Sequence, residues 1–220
     1  MIINMARFDR YFTHFRASAT RIETLPAYDV PEERENFAVY LSGAPLPAKR
    51  HAEWSANVRK AVADGKYMGR IHVIHDRALG PYLQYEVYWY YDVAAAAGED
   101  IRFIFREDVP DVDFRDTWIF DDETVVDLGY SAEGQLKFVI ENDHPDRLVQ
   151  AWAAWEELYA RSFSLAELHA KIRNSGIPVP RLAHDGKPRD DLRPKRPGQR
   201  VPNPRSGDHR YQGGDPAIRR

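Results

Sequence analysis

RIHVIHD at residues 70–76, an aromatic stretch at 79–97, AGEDIRFIF at 97–105 and DTWIFDDETVVDLGY at 116–130 together decide the fold. Ile71, Val73 and Ile74 mark a strand. The stretch 79–97, which ends at Gly98, is helical, and Ile101–Phe105 is a short apolar strand. Two apolar strands around one helix imply a parallel pair joined by a right-handed crossover. Thr117–Phe120 and Thr124–Gly129 flank Asp121-Asp122-Glu123, the composition of a hairpin turn. Gly134 marks a second turn before a strand at 135–140. The expected fold is α/β: a mixed sheet with a parallel strand–helix–strand unit plus antiparallel hairpins. Its strands are more continuous than alternating, which places helices on both faces.

Outward from this core, the N-terminal residues 1–65 read as mainly helical. Phe8, Phe12 and Phe15 recur at helical spacing, and Arg21–Thr24 reads as a short strand. Asp29 and Pro31 start a helix that runs to about Leu41. Trp54, Val58 and Val62 share one face of a helix at 52–63, with Gly65 as its C-cap. After the sheet core at 69–141 come C-terminal helices at 145–173. Asn142-Asp143-His144-Pro145 caps the first of them, which turns Leu148, Trp152, Trp155 and Leu158 inward. Residues 1–178 are read as a single α/β domain.

The 220 residues include no cysteine, which excludes disulfides, thiolate metal sites and a cysteine nucleophile. Charge within the first ten residues argues against a secretory signal, and no apolar run approaches a membrane span. The expectation is a cytoplasmic protein with no membrane partner. The net charge of −3 is unevenly divided: residues 181–220 carry 11 Lys/Arg and 5 Asp/Glu, the first 180 carry 20 and 29. The segment 179–220 is therefore expected to be a disordered, basic, Pro/Gly-rich tail. Nucleic acid is a candidate partner for it through counterion release.

FDRYFTHFRASATRIETLPAYDVPEERENF, RIHVIHDRALGPYLQYEV, AAAAGEDIRFIF, DTWIFDDETVVDL and DRLVQAWAAWEELYARS resemble, over about residues 7–162, an uncharacterised actinobacterial family. Its members are often encoded beside helix-turn-helix regulators. The resemblance implies a fold and a protein partner of that kind, and no activity. More faintly, the core resembles half of a phospholipase D-like domain. Such domains set a His and a Lys at a strand end, with an Asp farther on. Here that strand end reads His72-Val73-Ile74-His75-Asp76-Arg77, without the His-x-Lys pairing.

Three groups of residues are candidates for chemistry. His72, His75 and Arg77 would be catalytic in a divergent phosphodiesterase or nuclease. They sit near a strand end, where open α/β sheets bind ligands, and the following helix start favours anions. The alternative is a turn in which Asp76 caps the helix. An odd offset points His72 and His75 to opposite faces, so no metal is expected. The second group is Tyr82, Tyr85, Tyr88, Trp89, Tyr90 and Tyr91. At 100° per residue these cannot all face one core, so Tyr82, Tyr85 and Trp89 are candidates for a protein-binding surface. The alternative is a helix buried on several sides. The third is an acidic set of Glu86, Asp92, Glu99, Asp100, Asp121 and Asp122. It offers acid–base or Mg²⁺ chemistry, or merely turn and helix-end residues. GxxxxGKS/T, GxGxxG and GxSxG are absent, and no cofactor is expected. A cytoplasmic binding or regulatory module is the leading functional expectation.

Overall fold

The structure is a computed structural model that describes residues 1–44 and 52–175. In chain order the elements are β1 (Ile2–Ile3), α1 (Met5–His14), β2 (Ser18–Glu23), a 3₁₀ turn (Pro31–Glu33), α2 (Arg34–Leu41), α3 (Ala52–Ala63) and β3 (Tyr67–Ile74). Then come α4 (Pro81–Glu86), a π turn (Val87–Tyr91), α5 (Asp92–Ala97), β4 (Asp100–Phe105), β5 (Thr117–Phe120), β6 (Thr124–Tyr130) and β7 (Leu136–Asn142). Helix α6 (Pro145–Arg161), β8 (Phe163–Ser164) and α7 (Leu165–Ser175) complete the series. The tail expected at 179–220, and the nucleic-acid contact expected of it, lie outside the described residues.

The strands form one mixed sheet in the order β1-β7-β6-β5-β2-β3-β4-β8. Strands β2, β3 and β4 run parallel, and the other pairings are antiparallel. The expected α/β class, the parallel unit around the aromatic helix and the hairpins are all present. At the first hairpin Asp121 and Asp122 take φ of 56° and 59°, the mirror-image turn that suits strand twist. The Asp121 carboxylate accepts N–H bonds from Arg16, Ala17 and Ser18, tying this turn to the loop before β2.

Four expectations are corrected. The short strand expected at Arg21–Thr24 is present as β2 (Ser18–Glu23), but the sheet is not confined to 69–141: β2 lies inside it, hydrogen-bonded to β3 and β5. Its sequence SATRIE carries two charges, which normally keep a strand at an edge. Here those charges are matched inside the protein. Asp76 does not cap the aromatic helix; its carboxylate accepts from the Ala78 N–H, and Gly80 is the N-cap. Asp29 likewise does not cap its helix; it holds Arg34 at 2.6 and 2.7 Å and accepts from Gln135.

The fourth correction concerns the aromatic helix. Tyr82, Tyr85, Tyr88, Trp89, Tyr90 and Tyr91 are all buried, the most exposed at 8%. The helix is enclosed on several sides. Tyr82, Tyr85 and Trp89 meet Phe37 and Tyr40 of α2. Tyr88, Tyr90 and Tyr91 meet Phe103 of the sheet and Leu165, Leu168 and Ile172 of α7. The π turn changes the angular step partway along the helix. Burying each ring contributes about 4–6 kcal/mol before entropy. That outweighs the ~1–3 kcal/mol cost of an unpartnered hydroxyl such as Tyr85 Oη.

The sheet has two unlike faces. One carries Ile22, Ile71, Val73, Ile104, Ile119 and Val125 against Ala151, Trp152, Trp155 and Leu158 of α6. The other is covered by α1, α3, α7 and the helix 81–97. The polar site lies on that second face.

Candidate functional site

The pleat of the parallel pair β2–β3 builds the site. Its register sets Arg21 beside Arg70 and Glu23 beside His72. Residues two apart on a strand share a face, so these four side chains converge under the aromatic helix. All four are buried, at 8%, 6%, 5% and 0% exposure. Glu23 Oε1 takes Arg21 Nε at 2.9 Å and Arg70 Nη1 at 2.8 Å. Arg70 Nε reaches Glu99 Oε1 at 2.9 Å, and Trp54 Nε1 donates to Glu99 Oε2 at 2.8 Å. Arg21 Nη2 reaches Asp116 Oδ1 at 3.4 Å, where Tyr28 Oη also donates at 2.8 Å. Tyr91 Oη donates to Glu23 Oε2 at 2.9 Å and lies 2.8 Å from His72 Nδ1. With its proton on Glu23, the Tyr91 oxygen accepts from His72 Nδ1–H. His72 Nε2 has no hydrogen-bond partner.

Buried charges persist only when paired and hydrogen-bonded. Burial alone would raise the Glu23 carboxyl. Arg70, Arg21 and His72, whose Nδ1 lies 3.4 Å from Glu23 Oε2, outweigh it and hold the group well below the usual range. Burial likewise works against the charge on both guanidiniums, and their carboxylate neighbours keep them charged. Asp116 is pushed up by burial, against the pull of Arg21.

Above this floor opens a cleft of about 750 Å³. Arg21, Glu23 and Arg70 lie in its base. Tyr28, Tyr82, Tyr90 and Tyr130 form walls, and Arg34 and Lys137 are among its other lining residues. The turn at Gly134 (φ +82°) closes one side, where its carbonyl accepts from the Asp29 N–H at 3.0 Å. A Cβ at this glycine would stand 2.7 Å from the Ala27 carbonyl oxygen, so no side chain fits there.

Two further carboxyls line the cleft: Glu33 from the 3₁₀ turn and Glu86 from α4. Glu33 accepts from Tyr82 Oη at 2.9 Å. Glu86 is 5% exposed, and its Oε1 has no hydrogen-bond partner. Burial, then repulsion from Glu33 and Glu23, raises Glu86 well above the ordinary 4.5. Burial also raises Glu33, in spite of its bond to Tyr82. Like charges that close together resist joint ionisation. Such a pair can hold a proton between them, pass it on, or accept hydrogen bonds from a cation.

The residues singled out from the sequence are dispersed. His72 is inside the network, whereas His75 and Arg77 are exposed. His75 Nε2 faces the Thr24 carbonyl oxygen. Arg77 pairs with Glu107 and Asp108 and lies over the Phe105 ring. His75 and Arg77 do not line the cleft. Tyr82 does, whereas Tyr85 and Trp89 are interior. Within the acidic set, Glu86 and Glu99 join the site, and Asp121 serves its turn. Arg21, Glu23, Glu33, Arg70 and Asp116 were not singled out. For Arg21, Glu23 and Arg70 the signal is Arg-x-Glu and Arg-x-His at strand spacing inside apolar strands; Glu33 and Asp116 have no such pattern. Among the described residues no three His, Asp or Glu form a group that could hold a metal ion, and no helix is long and apolar enough to cross a membrane.

No curated protein matches the chain. Among solved structures, Nuc from Salmonella typhimurium, a phospholipase D family member, is similar at 11% identity and a TM-score of 0.44. That similarity covers 73% of this chain and 89% of that one. Residues 6–170 match the model of DUF6879, a domain of unknown function, and the chain belongs to that family.

Proposed function

We propose that the protein is a small-molecule-binding module. Its ligand occupies the cleft over β2 and β3, and Glu33 and Glu86 are its proton-handling groups. The observation that carries this reading is the Glu86 carboxyl: buried, lining the cleft, with Oε1 lacking a partner. A buried polar atom without a partner costs about 1–3 kcal/mol, and a ligand donor would remove that cost. A concave polar site with displaced carboxyl pKa values is a usual form of ligand site.

A protein partner, a helix-turn-helix regulator among them, fits this reading as the receiver of a ligand signal. It would dock away from Tyr82, Tyr85 and Trp89, which are covered by α2. A phosphodiester site at His75 and Arg77 has less support, because Arg77 is engaged by two carboxylates.

Thermal-shift titration with a panel of amines, sugars, nucleosides, carboxylates and phosphates tests the proposal. At least one class should raise the melting temperature of the wild type and fail to do so in Glu86→Gln and Tyr82→Phe. Equal shifts in all three proteins would remove the cleft from consideration.

A further inference from the structure

Resting on the cleft as a ligand site, we infer that its ligand is an organic cation, an ammonium or guanidinium group, seated against the Glu33–Glu86 pair and bordered by Tyr28, Tyr82 and Tyr130. The argument begins with the cations already present. Arg21 is held by Glu23 and Asp116, and Arg70 by Glu23 and Glu99. Two guanidiniums thus face three carboxylates, and none of their charge is left for an incoming anion. At the mouth, Arg34 forms a two-point pair with Asp29, and Lys137 donates to Gln135.

Glu33 and Glu86 stand outside this matching. No basic side chain forms an ion pair with either of them among the described residues. Glu33 receives a neutral hydrogen bond from Tyr82 and shares one with Glu86, Glu86 also interacts with Tyr91, and Glu86 Oε1 is without a partner. An anionic ligand close to Glu33 and Glu86 would meet their repulsion and that of Glu23. A cation brings the charge and the N–H donors that these two carboxyls lack, and charge-assisted bonds of that kind are about twice as strong as neutral ones.

The walls fit the same occupant. Tyr28 and Tyr82 have ring centroids 6.3 Å apart at 60°, and Tyr28 and Tyr130 are 5.1 Å apart at 67°. Rings set at such angles present faces from several directions, the arrangement that receives alkylammonium groups through cation–π attraction. Arg21 already lies 5.7 Å from the Tyr28 centroid, so one face is in use in this way.

Binding is also expected to be pH-dependent. Glu86 is faced by Glu33 from the 3₁₀ turn, Glu23 from β2, Arg70 from β3, and Tyr82 and Tyr91 from its own helical stretch. Raising the pH removes the proton held by the carboxyl pair and creates the charge that a cation needs. Binding should therefore tighten as pH rises and should release protons to the buffer.

Isothermal titration of the full chain with butylammonium, agmatine and choline chlorides tests the inference, with butanol, succinate and inorganic phosphate as neutral and anionic counterparts. At least one cation should bind, more tightly at higher pH. Its enthalpy should depend on the buffer's ionisation heat. Affinity should fall tenfold or more in Glu86→Gln and in Glu33→Gln, the second variant serving if the first fails to fold. A cation that binds both variants as well as wild type overturns the inference. So does binding of succinate, phosphate or butanol that depends on Glu86 while no cation binds, and in that case the cleft stands as a site. No Glu86-dependent binding by any probe, with none in the wider polar panel, overturns the inference and the site together.

Discussion

The two faces of the sheet are built from alternate residues of the same strands, yet they solve opposite problems. Ile22 and Ile71 go to α6 and meet tryptophans. Their neighbours Arg21, Glu23, Arg70 and His72 go the other way and meet one another. On the α6 face, the pair Asp127 with Arg147 borders the apolar cluster near Ile22 and Ala151, and the cluster's own members are apolar. On the opposite face the charges occupy the centre. An apolar core is the safer source of stability, since a buried ion pair gains little over well-packed hydrophobic residues. The polar face therefore points to a task other than holding the fold together, and substitutions on the two faces should separate those roles.

The largest effect is expected at Arg70. Arg70→Leu leaves Glu23 and Glu99 with much of their charge unmatched inside the protein. Breaking a buried pair by removing one partner costs about 3–5 kcal/mol. A urea or guanidinium midpoint measures it. Removing Glu99 as well, in Arg70→Leu/Glu99→Leu, should recover part of the loss, because the second change removes a stranded charge. Additive losses would mean that the network does not act as a unit.

Next comes Leu158→Ala on the α6 face, where Leu158 is 0% exposed. The expected loss is about 2–5 kcal/mol from lost burial and the cavity left behind, measured by the same midpoints. Here the comparison sharpens, because this loss should be nearly independent of pH, whereas losses on the polar face should vary with it.

Glu86→Gln should change stability by about 1–3 kcal/mol, with a sign that depends on pH. The folded pKa of Glu86 is raised above 4.5. Its contribution is fully present below that ordinary value and is lost as pH climbs through the raised one. Glu23 runs the other way. Its folded pKa lies well below 4.5, so its contribution is present above that value and is lost as pH falls through the depressed one. Unfolding midpoints across a pH series should show wild type losing stability at the alkaline end relative to Glu86→Gln, and both proteins losing it in acid. Parallel curves would mean that Glu86 titrates normally.

The same asymmetry decides how much could be read from the sequence. The α6 face was legible because Ile71, Val73, Ile104, Trp152, Trp155 and Leu158 are apolar and fall at strand or helix spacing. Gly65, Gly98 and Gly134 marked their turns through positive φ. The polar face was harder, because Arg21-Ile22-Glu23 reads locally as a short strand with solvent on one side. Only Arg70 on β3 and Asp116 just before β5 supply the opposite charges that let it sit inside the sheet. Glu99 and Glu86 were visible as acids. Their roles depend on Arg70, 29 residues from Glu99 in sequence, and on Glu33 in a separate turn. The aromatic helix misled for a related reason: a ring distribution too wide for one core is satisfied by several neighbours.

The smallest effect is expected where the sequence drew attention first. Arg77 follows a strand end, beside His75, in a position that often binds anions. In the fold its guanidinium lies over Phe105 and pairs with Glu107 and Asp108, and the side chains of Arg77 and Glu107 are each 60% exposed. Exposed pairs of this kind contribute about 0–1 kcal/mol and are screened by salt. Arg77→Ala should therefore move the unfolding midpoint by no more than that, and less at high salt. It should leave any Glu86-dependent ligand binding unchanged, since Arg77 is not part of the cleft. A larger loss of binding in Arg77→Ala than in Glu86→Gln would reverse the comparison. It would transfer the functional role from the buried carboxyls to the strand end, where sequence reasoning had placed it.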